Sequence, residues 1–285
     1  MSRNVMTDDL NTVLVRWQLT QAEHLSQTAI ARLWRVRRAD GTSAVLKLYK
    51  NATRGNEAAG AELLSAWSGR AVVKILENDG AAMLMQWLDG PSLGDIARSG
   101  HAKQADQLLC DTARSLHQNP ISVRAPLCSL DDAFSLLPQL TYSTTCPTPL
   151  RKDMLRATAM ANHLLATQPS PVPLHGDLHH DNVILTVTGP KAFDAKGYMG
   201  DPAFELANAL RHPKGLPSHV RDLTRITQTT QLFAQALGVP CQRLAQWAAA
   251  KCALSISWRA NGLLIQDDEA DLLSLLVEQA LATEC

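Results

Sequence analysis

Apolar and polar positions follow two different periods along this chain, and the change falls near residue 90. Before it, short segments rich in apolar and β-branched residues are separated by turn signals. Residues 29–38 and 43–49 predict two strands joined at Ala39-Asp40-Gly41-Thr42, where Asp-Gly supplies the turn. The run 13–19 is β-prone, so residues 1–20 predict a short helix followed by the first strand. A loop over 51–56 leads to a helix over 57–67 that Gly69 ends. Strands follow at 72–76 and 81–85 around a turn at Asn78-Asp79-Gly80. Gln86-Trp87-Leu88-Asp89-Gly90-Pro91 then breaks the pattern and predicts a linker. Beyond it the period becomes helical. Leu108, Leu109, Ala113 and Leu116 share one face of a helix over 103–117. Further helices are predicted over 130–140, 149–166, 203–211, 218–237, 241–264 and 268–282. A Thr- and Pro-rich loop spans 142–149, and Pro169-Ser170-Pro171-Val172-Pro173 ends the helical run before it. The reading is an α+β chain in two lobes: a small antiparallel-sheet lobe with one helix over 1–88, and a mainly helical lobe over 89–285.

Composition adds limits. A chain of 285 residues with 46% hydrophobic and 19% charged residues has apolar material for two lobes sharing a cleft. Lys+Arg and Asp+Glu both number 27, which argues against a nucleic-acid partner. Cys110, Cys128, Cys146, Cys241, Cys252 and Cys285 are scattered without a Cys-x-x-Cys pair, as in a reducing compartment. With no leader pattern and no long apolar window, the expectation is a cytoplasmic protein with no membrane span. Nothing in the sequence fixes an oligomeric state.

The chemistry is concentrated in Leu174-His175-Gly176-Asp177-Leu178-His179-His180-Asp181-Asn182-Val183-Ile184-Leu185. Asn182 follows Asp177 by five residues, and Asp194 comes twelve residues later, after an apolar run and a turn at Thr188-Gly189-Pro190. A hairpin there brings Asn182 and Asp194 to the same end, where two oxygen ligands suit Mg²⁺. Asp177 can then orient a hydroxyl and accept its proton, which is the arrangement of ATP-dependent phosphoryl transfer to a small-molecule hydroxyl. A zinc site at His175, His179 and His180 is disfavoured, because the spacing offers no fourth ligand. His175 reads as a brace for the loop. His179, two residues after the base, reads as a donor toward the transferred group.

Lys47 sits inside the apolar run Leu46-Lys47-Leu48, where a lysine can hold the α- and β-phosphates of ATP. Its carboxylate partner is expected to be Glu57, with Glu62 as the alternative. The stretch 23–29 should cover the phosphates but contains no glycine, so Ser26 and Thr28 are its candidate contacts. Backbone groups of Gln86 and Leu88 could read the adenine edge. Asp201-Pro202 predicts a helix start, and Glu205 behind it could anchor the backbone of the 175–182 loop.

The segments 174–183 and 193–210 resemble the aminoglycoside phosphotransferase-like kinases. They are most similar to the streptomycin 6-phosphotransferase (aminoglycoside/hydroxyurea resistance kinase) branch, where an Asp-Pro-Lys-Gly string is favoured. The resemblance implies the bilobal protein-kinase-like fold, with Asp177 as base, Asn182 and Asp194 as magnesium ligands and Lys47 as the phosphate lysine. Ala195 stands where proline is common, and Glu205 where aspartate is common. Streptomycin is one acceptor the resemblance implies; a sugar, choline or amino alcohol is the alternative. A non-catalytic nucleotide-binding protein is disfavoured by intact Lys47, Asp177, Asn182 and Asp194. A polycationic acceptor calls for local acid, and Asp131-Asp132 and Asp267-Asp268-Glu269 with Asp271 are the available groups.

Overall fold

The computed structural model describes residues 9–51, 54, 57–67, 70–123 and 126–282. Parts of the 51–56 loop and the helix stop at Gly69 lie outside the described residues. The first lobe carries helix α1 (Leu10–Arg16), strands β1 (Thr20–Gln27), β2 (Ala31–Arg37) and β3 (Ser43–Tyr49), helix α2 (Ala58–Trp67), and strands β4 (Ile75–Asp79) and β5 (Ala82–Gln86). The strands form one antiparallel sheet in the order β1-β2-β3-β5-β4. At the β2–β3 turn Asp40 accepts hydrogen bonds from the Thr42 amide and hydroxyl at 2.9 and 2.6 Å, and Gly41 takes φ 79°.

Alternation along β3 divides its side chains between two environments. Leu46 and Leu48 join Val13, Leu19, Trp34 and Leu84 in a core under α1. Lys47 and Tyr49 face the other way, into the cleft. The segment 13–19 is therefore not a strand. Leu10, Val13, Leu14 and Trp17 all pack on that core, and their three- and four-residue spacing is a helical stripe that outweighs the β-propensity of its valines.

The second lobe contains α3 (Leu93–Ile96), α4 (Ala102–His117), β6 (Cys128–Ser129), α5 (Leu130–Phe134), β7 (Thr141–Tyr142), α6 (Thr148–Ala166) and β8 (Val172–Leu174). The hairpin β9 (Val183–Thr186) and β10 (Gly189–Ala192) follows, then β11 (Tyr198–Gly200). The chain ends with α7 (Pro217–Val220), α8 (Leu223–Leu237), α9 (Cys241–Ala260), β12 (Leu263–Leu264) and α10 (Ala270–Leu281). Helix α9 is buried on nearly every side, and its Trp247 packs with Phe134 and Phe204. The helix expected over 203–211 is two 3₁₀ turns, Pro202–Phe204 and Ala207–Arg211, separated at Glu205-Leu206. Glu205 closes the first turn, its amide donating to the Pro202 carbonyl at 3.2 Å, while its carboxylate reaches other backbone groups.

The lobes meet at a glycine contact. A Cβ at Gly60 of α2 would stand 1.8 Å from the Ala195 carbonyl oxygen, and one at Gly197 would stand 2.7 Å from the Ala59 carbonyl carbon. An ordinary helical Gly→Ala change is favourable by up to about 1 kcal/mol. Gly60→Ala is instead expected to destabilise the protein by about 3 kcal/mol, because backbone blocks the new methyl. Urea unfolding checks this, and unchanged stability would contradict the contact.

Candidate active site

The β9–β10 hairpin sets where Asn182 and Asp194 lie. Val183 pairs with Ala192, and the Phe193 amide donates to the Asn182 carbonyl at 3.0 Å, so Asn182 and Asp194 leave the same end. Asp194 takes φ 61°, a conformation rarely adopted outside glycine and retained where surrounding contacts hold it. Those contacts come from two lysines. Lys47 Nζ lies 2.8 Å from Asp194 Oδ1 and 2.5 Å from Glu57 Oε2. Lys196 Nζ lies 3.0 Å from Glu57 Oε1 and 3.4 Å from Asp194 Oδ2. Two carboxylates and two ammoniums thus form a closed ring, and the acid meeting Lys47 is Glu57 rather than Glu62. Burial disfavours each charge, but the opposite partners outweigh it. Lys47 and Lys196 are held above the ordinary lysine value and Asp194 below the ordinary carboxylate value.

Asp177 lies on the loop after β8. Glu205 shapes that loop by accepting from the amides of His175 and Gly176 at 3.0 and 3.1 Å, and from His117 Nε2 at 2.8 Å. His175 donates through Nε2 to the Phe193 carbonyl at 3.0 Å, tying the loop to the Asp194 segment. Asn182 Nδ2 donates to the Asp177 carbonyl at 3.0 Å, which turns Asn182 Oδ1 outward as an oxygen donor. Asn182 Oδ1 and the Asp194 carboxylate therefore fit a hard divalent cation. Burial opposes the Asp177 charge, yet His179, Lys251 and Lys196 hold its carboxyl at about 2.

His179 is buried and stacks on His212 with ring centroids 3.6 Å apart. Its Nδ1 accepts from the Asp181 amide at 3.2 Å, and its Nε2 lies 3.9 Å from Asp177 Oδ1. The side chain thus adjoins Asp177. Asp181, His179 and His212 also bring three ligand-type atoms within 4.8 Å of one another, but Asp181 is engaged by Arg98, His212 and the Lys214 amide.

A cavity of about 420 Å³ is lined by Ser26, Thr28, Lys47, Glu57, Asp194 and Lys196, among others. Strand β1 continues to Gln27, so the phosphate-covering loop expected over 23–29 shrinks to a turn at 28–30. Thr28 Oγ1 accepts from the Ile30 and Ala31 amides at 3.3 and 3.1 Å, which commits the hydroxyl to the turn itself. An adjoining apolar cavity of about 150 Å³ is walled by Leu33, Val45, Ile184 and Phe193, among others, with Gln86 and Leu88 also lining it. Those four apolar walls escaped the sequence reading, as did Lys196 and Asn208. Asn208 Nδ2 donates to Asp177 Oδ1 at 2.8 Å. Lys196 was signalled only by standing two residues from Asp194, and Asn208 by standing three residues from Glu205.

Three of the four acids at 267–271 are paired, and Asp268 contributes its backbone carbonyl to Arg221 at 3.0 Å. Asp267 and Glu269 meet Arg259, Glu269 also meets Arg211 and Lys214, and Asp271 meets Arg221. Asp132 lies in the first turn of α5, where Ser129 receives its amide at 3.0 Å.

Burial pushes His175, His179, His212 and His219 below the ordinary imidazole value. In the unfolded chain these groups take up protons below about pH 6.5, so the unfolded state then binds more protons and folding weakens. Carboxylates held low, including Asp177, Asp194 and Glu205, add a second loss below about pH 4.5. Urea unfolding at pH 7.5, 6.0 and 5.0 is expected to show stability already falling by pH 5.0; a flat profile would contradict the burial of these imidazoles.

Residues 16–262 match the family described as aminoglycoside/hydroxyurea antibiotic resistance kinase. A streptomycin 3''-kinase from Klebsiella pneumoniae is 31% identical over 249 residues, covering 85% of this chain and 89% of that protein. A streptomycin 6-kinase from Streptomyces glaucescens is 29% identical over 254 residues, covering 86% and 80%. Among solved structures, a thermostable mutant of an aminoglycoside phosphotransferase in complex with AMP-PNP and hygromycin B superposes with a TM-score of 0.63 at 13% identity, covering 96% of this chain and 99% of the other. That likeness gives the chain the bilobal protein-kinase-like fold. Among the described residues no helix is long and apolar enough to cross a membrane.

Proposed function

The chain belongs to the aminoglycoside/hydroxyurea antibiotic resistance kinase family, and from that premise we propose that it transfers the γ-phosphoryl group of Mg·ATP to a hydroxyl of streptomycin or a related aminoglycoside. The observation that carries the reading is the joining of Lys47, Glu57 and Asp194 within 2.8 Å, from segments far apart in the chain. Residues 1–88 act as the nucleotide lobe and 89–285 as the lobe of the catalytic loop and acceptor. The base stacks between Leu33 and Val45 above and Ile184 and Phe193 below, with backbone groups of Gln86 and Leu88 at its edge. Lys47, fixed by Glu57, meets the α- and β-phosphates, and Ser26 and Thr28 stand in the wall over them. Asn182 and Asp194 hold magnesium, which when bound offsets the phosphate charge. Asp177 orients the acceptor hydroxyl and accepts its proton as its oxygen bonds to the γ-phosphorus and the bond from that phosphorus to the β–γ bridging oxygen breaks, releasing ADP. His179 supports Asp177 from the side.

A second reading, a kinase of a sugar, choline or amino alcohol, is favoured by the zero net charge, since polycationic acceptors select acidic surfaces. An ADP-release screen with Mg·ATP and streptomycin, other aminocyclitols, choline and sugars separates the two. Streptomycin turnover is expected. Turnover of a metabolite without streptomycin would favour the second reading, and turnover of none would sink the kinase assignment.

A further inference from the structure

A buried polar chain runs from Asp177 into α9, and the nucleotide reading leaves it unused. Asn208 Nδ2 donates to Asp177 Oδ1 at 2.8 Å, while Asn208 Oδ1 accepts from Arg211 Nη1 at 2.7 Å. Both residues belong to the 3₁₀ turn Ala207–Arg211, where positions three apart share one side. Arg211 is only 5% exposed; it also donates to Ser255 Oγ at 2.8 Å and pairs with Glu269. Ser255 Oγ accepts from Lys251 Nζ at 3.1 Å and gives its own proton to the Lys251 carbonyl at 3.0 Å.

The direction of these bonds fixes the orientation of the amide. A guanidinium has donors only. Arg211 therefore keeps the Asn208 oxygen on its own side and turns the NH₂ toward Asp177. Oδ1 of Asp177 is occupied as a result. Oδ2 has Asn182 Nδ2 at 3.5 Å, the outer edge of hydrogen bonding, and so is the oxygen left for an incoming hydroxyl. We propose that Asn208 is a positioning residue: it fixes the Asp177 side chain through Oδ1 and reserves Oδ2 for the acceptor proton, with Arg211 and Ser255 holding the amide in its donating orientation. Desolvating Arg211 and Lys251 together is unfavourable, and apolar residues would fill the same space at lower cost. Cations here are explained by a neighbour that must keep one rotamer and one charge. The proposal rests on Asp177 being the base.

Kinetics of Asn208→Ala and Asn208→Asp test it, with streptomycin as acceptor and, separately, with water alone as phosphate release from Mg·ATP. In Asn208→Ala, kcat is expected to fall about 10- to 100-fold, as misplacement of a reacting group by an ångström can do. The KM for ATP should stay within about twofold. Asn208→Asp should be equally poor at pH 8 and recover relative to the native protein toward pH 6, because protonation of the new carboxyl restores a donor to Asp177. Unchanged kcat in Asn208→Ala overturns the proposal. So does a loss confined to the KM for ATP and the melting temperature, or an Asn208→Asp variant with no relative recovery in acid. Full turnover by Asp177→Asn, or no turnover by the native protein with either acceptor, overturns instead the base or kinase reading on which it depends.

Discussion

Asp177→Asn is expected to lower kcat for phosphoryl transfer by about 10³-fold, within the range that general-base groups supply. The replacement keeps the shape of the side chain, so its oxygen can still receive Asn208 Nδ2. What it removes is the charge and the lone pair able to take the acceptor proton. The protein should still fold, because the loop is tied down elsewhere: Glu205 holds the His175 and Gly176 amides, and His175 holds the Phe193 carbonyl. Nucleotide affinity should also survive, since Asp177 does not line the cavity that contains Lys47 and Asp194. Calorimetric binding of Mg·ADP within about threefold of the native value, beside the lost kcat, is the expected pair of results. Near-native turnover would remove Asp177 from the chemistry.

Asp194→Asn should act on the other half of the site. One carboxylate there pairs with both Lys47 and Lys196. With the charge gone, the lysines retain Glu57 but lose their second partner, and a hard cation loses its anionic ligand. A fall of about 10³-fold in kcat/KM for Mg·ATP is expected, comparable to the loss of a preorganised electrostatic contact. The second readout is binding: magnesium should no longer strengthen ADP affinity in this variant. If magnesium still does so to the native extent, Asp194 is not the metal ligand. The two variants thus separate, one losing proton acceptance with nucleotide binding intact and the other losing the metal-dependent part of that binding.

The sequence made legible what depends on short separations. Asp177, Asn182 and Asp194 are linked by a turn and a hairpin, so their spacing carries their geometry. Lys47 is legible as a lysine inside an apolar strand, and the structure adds that Leu46 and Leu48 on the other face pack in the core under α1. Contacts made across the fold were not. Asn208 reaches Asp177 from a 3₁₀ turn, and Ser255 and Lys251 arrive from α9 more than forty residues further on. The 13–19 segment was misread because valine favours strands in general, while the four contacts from Leu10 to Trp17 that make it a helix face a core not visible from local sequence. Of the acidic run at 267–271, Asp267, Glu269 and Asp271 meet Arg259, Arg211 and Arg221, which the local sequence does not foretell.

The meeting of Gly60 with Ala195 and Gly197 bears on how such an enzyme can be controlled. At Gly60 helix α2 meets the 195–197 segment backbone to backbone, and that segment directly follows Asp194 in the connection between β10 and β11. Glu57, at the entrance to that helix, is kept beside Lys47 by the same abutment that keeps Asp194 there. Swinging the helix outward to disarm the lysine would tear open the seam between the lobes. The Glu57–Lys47 pair and the seam at Gly60 therefore stand or fall together.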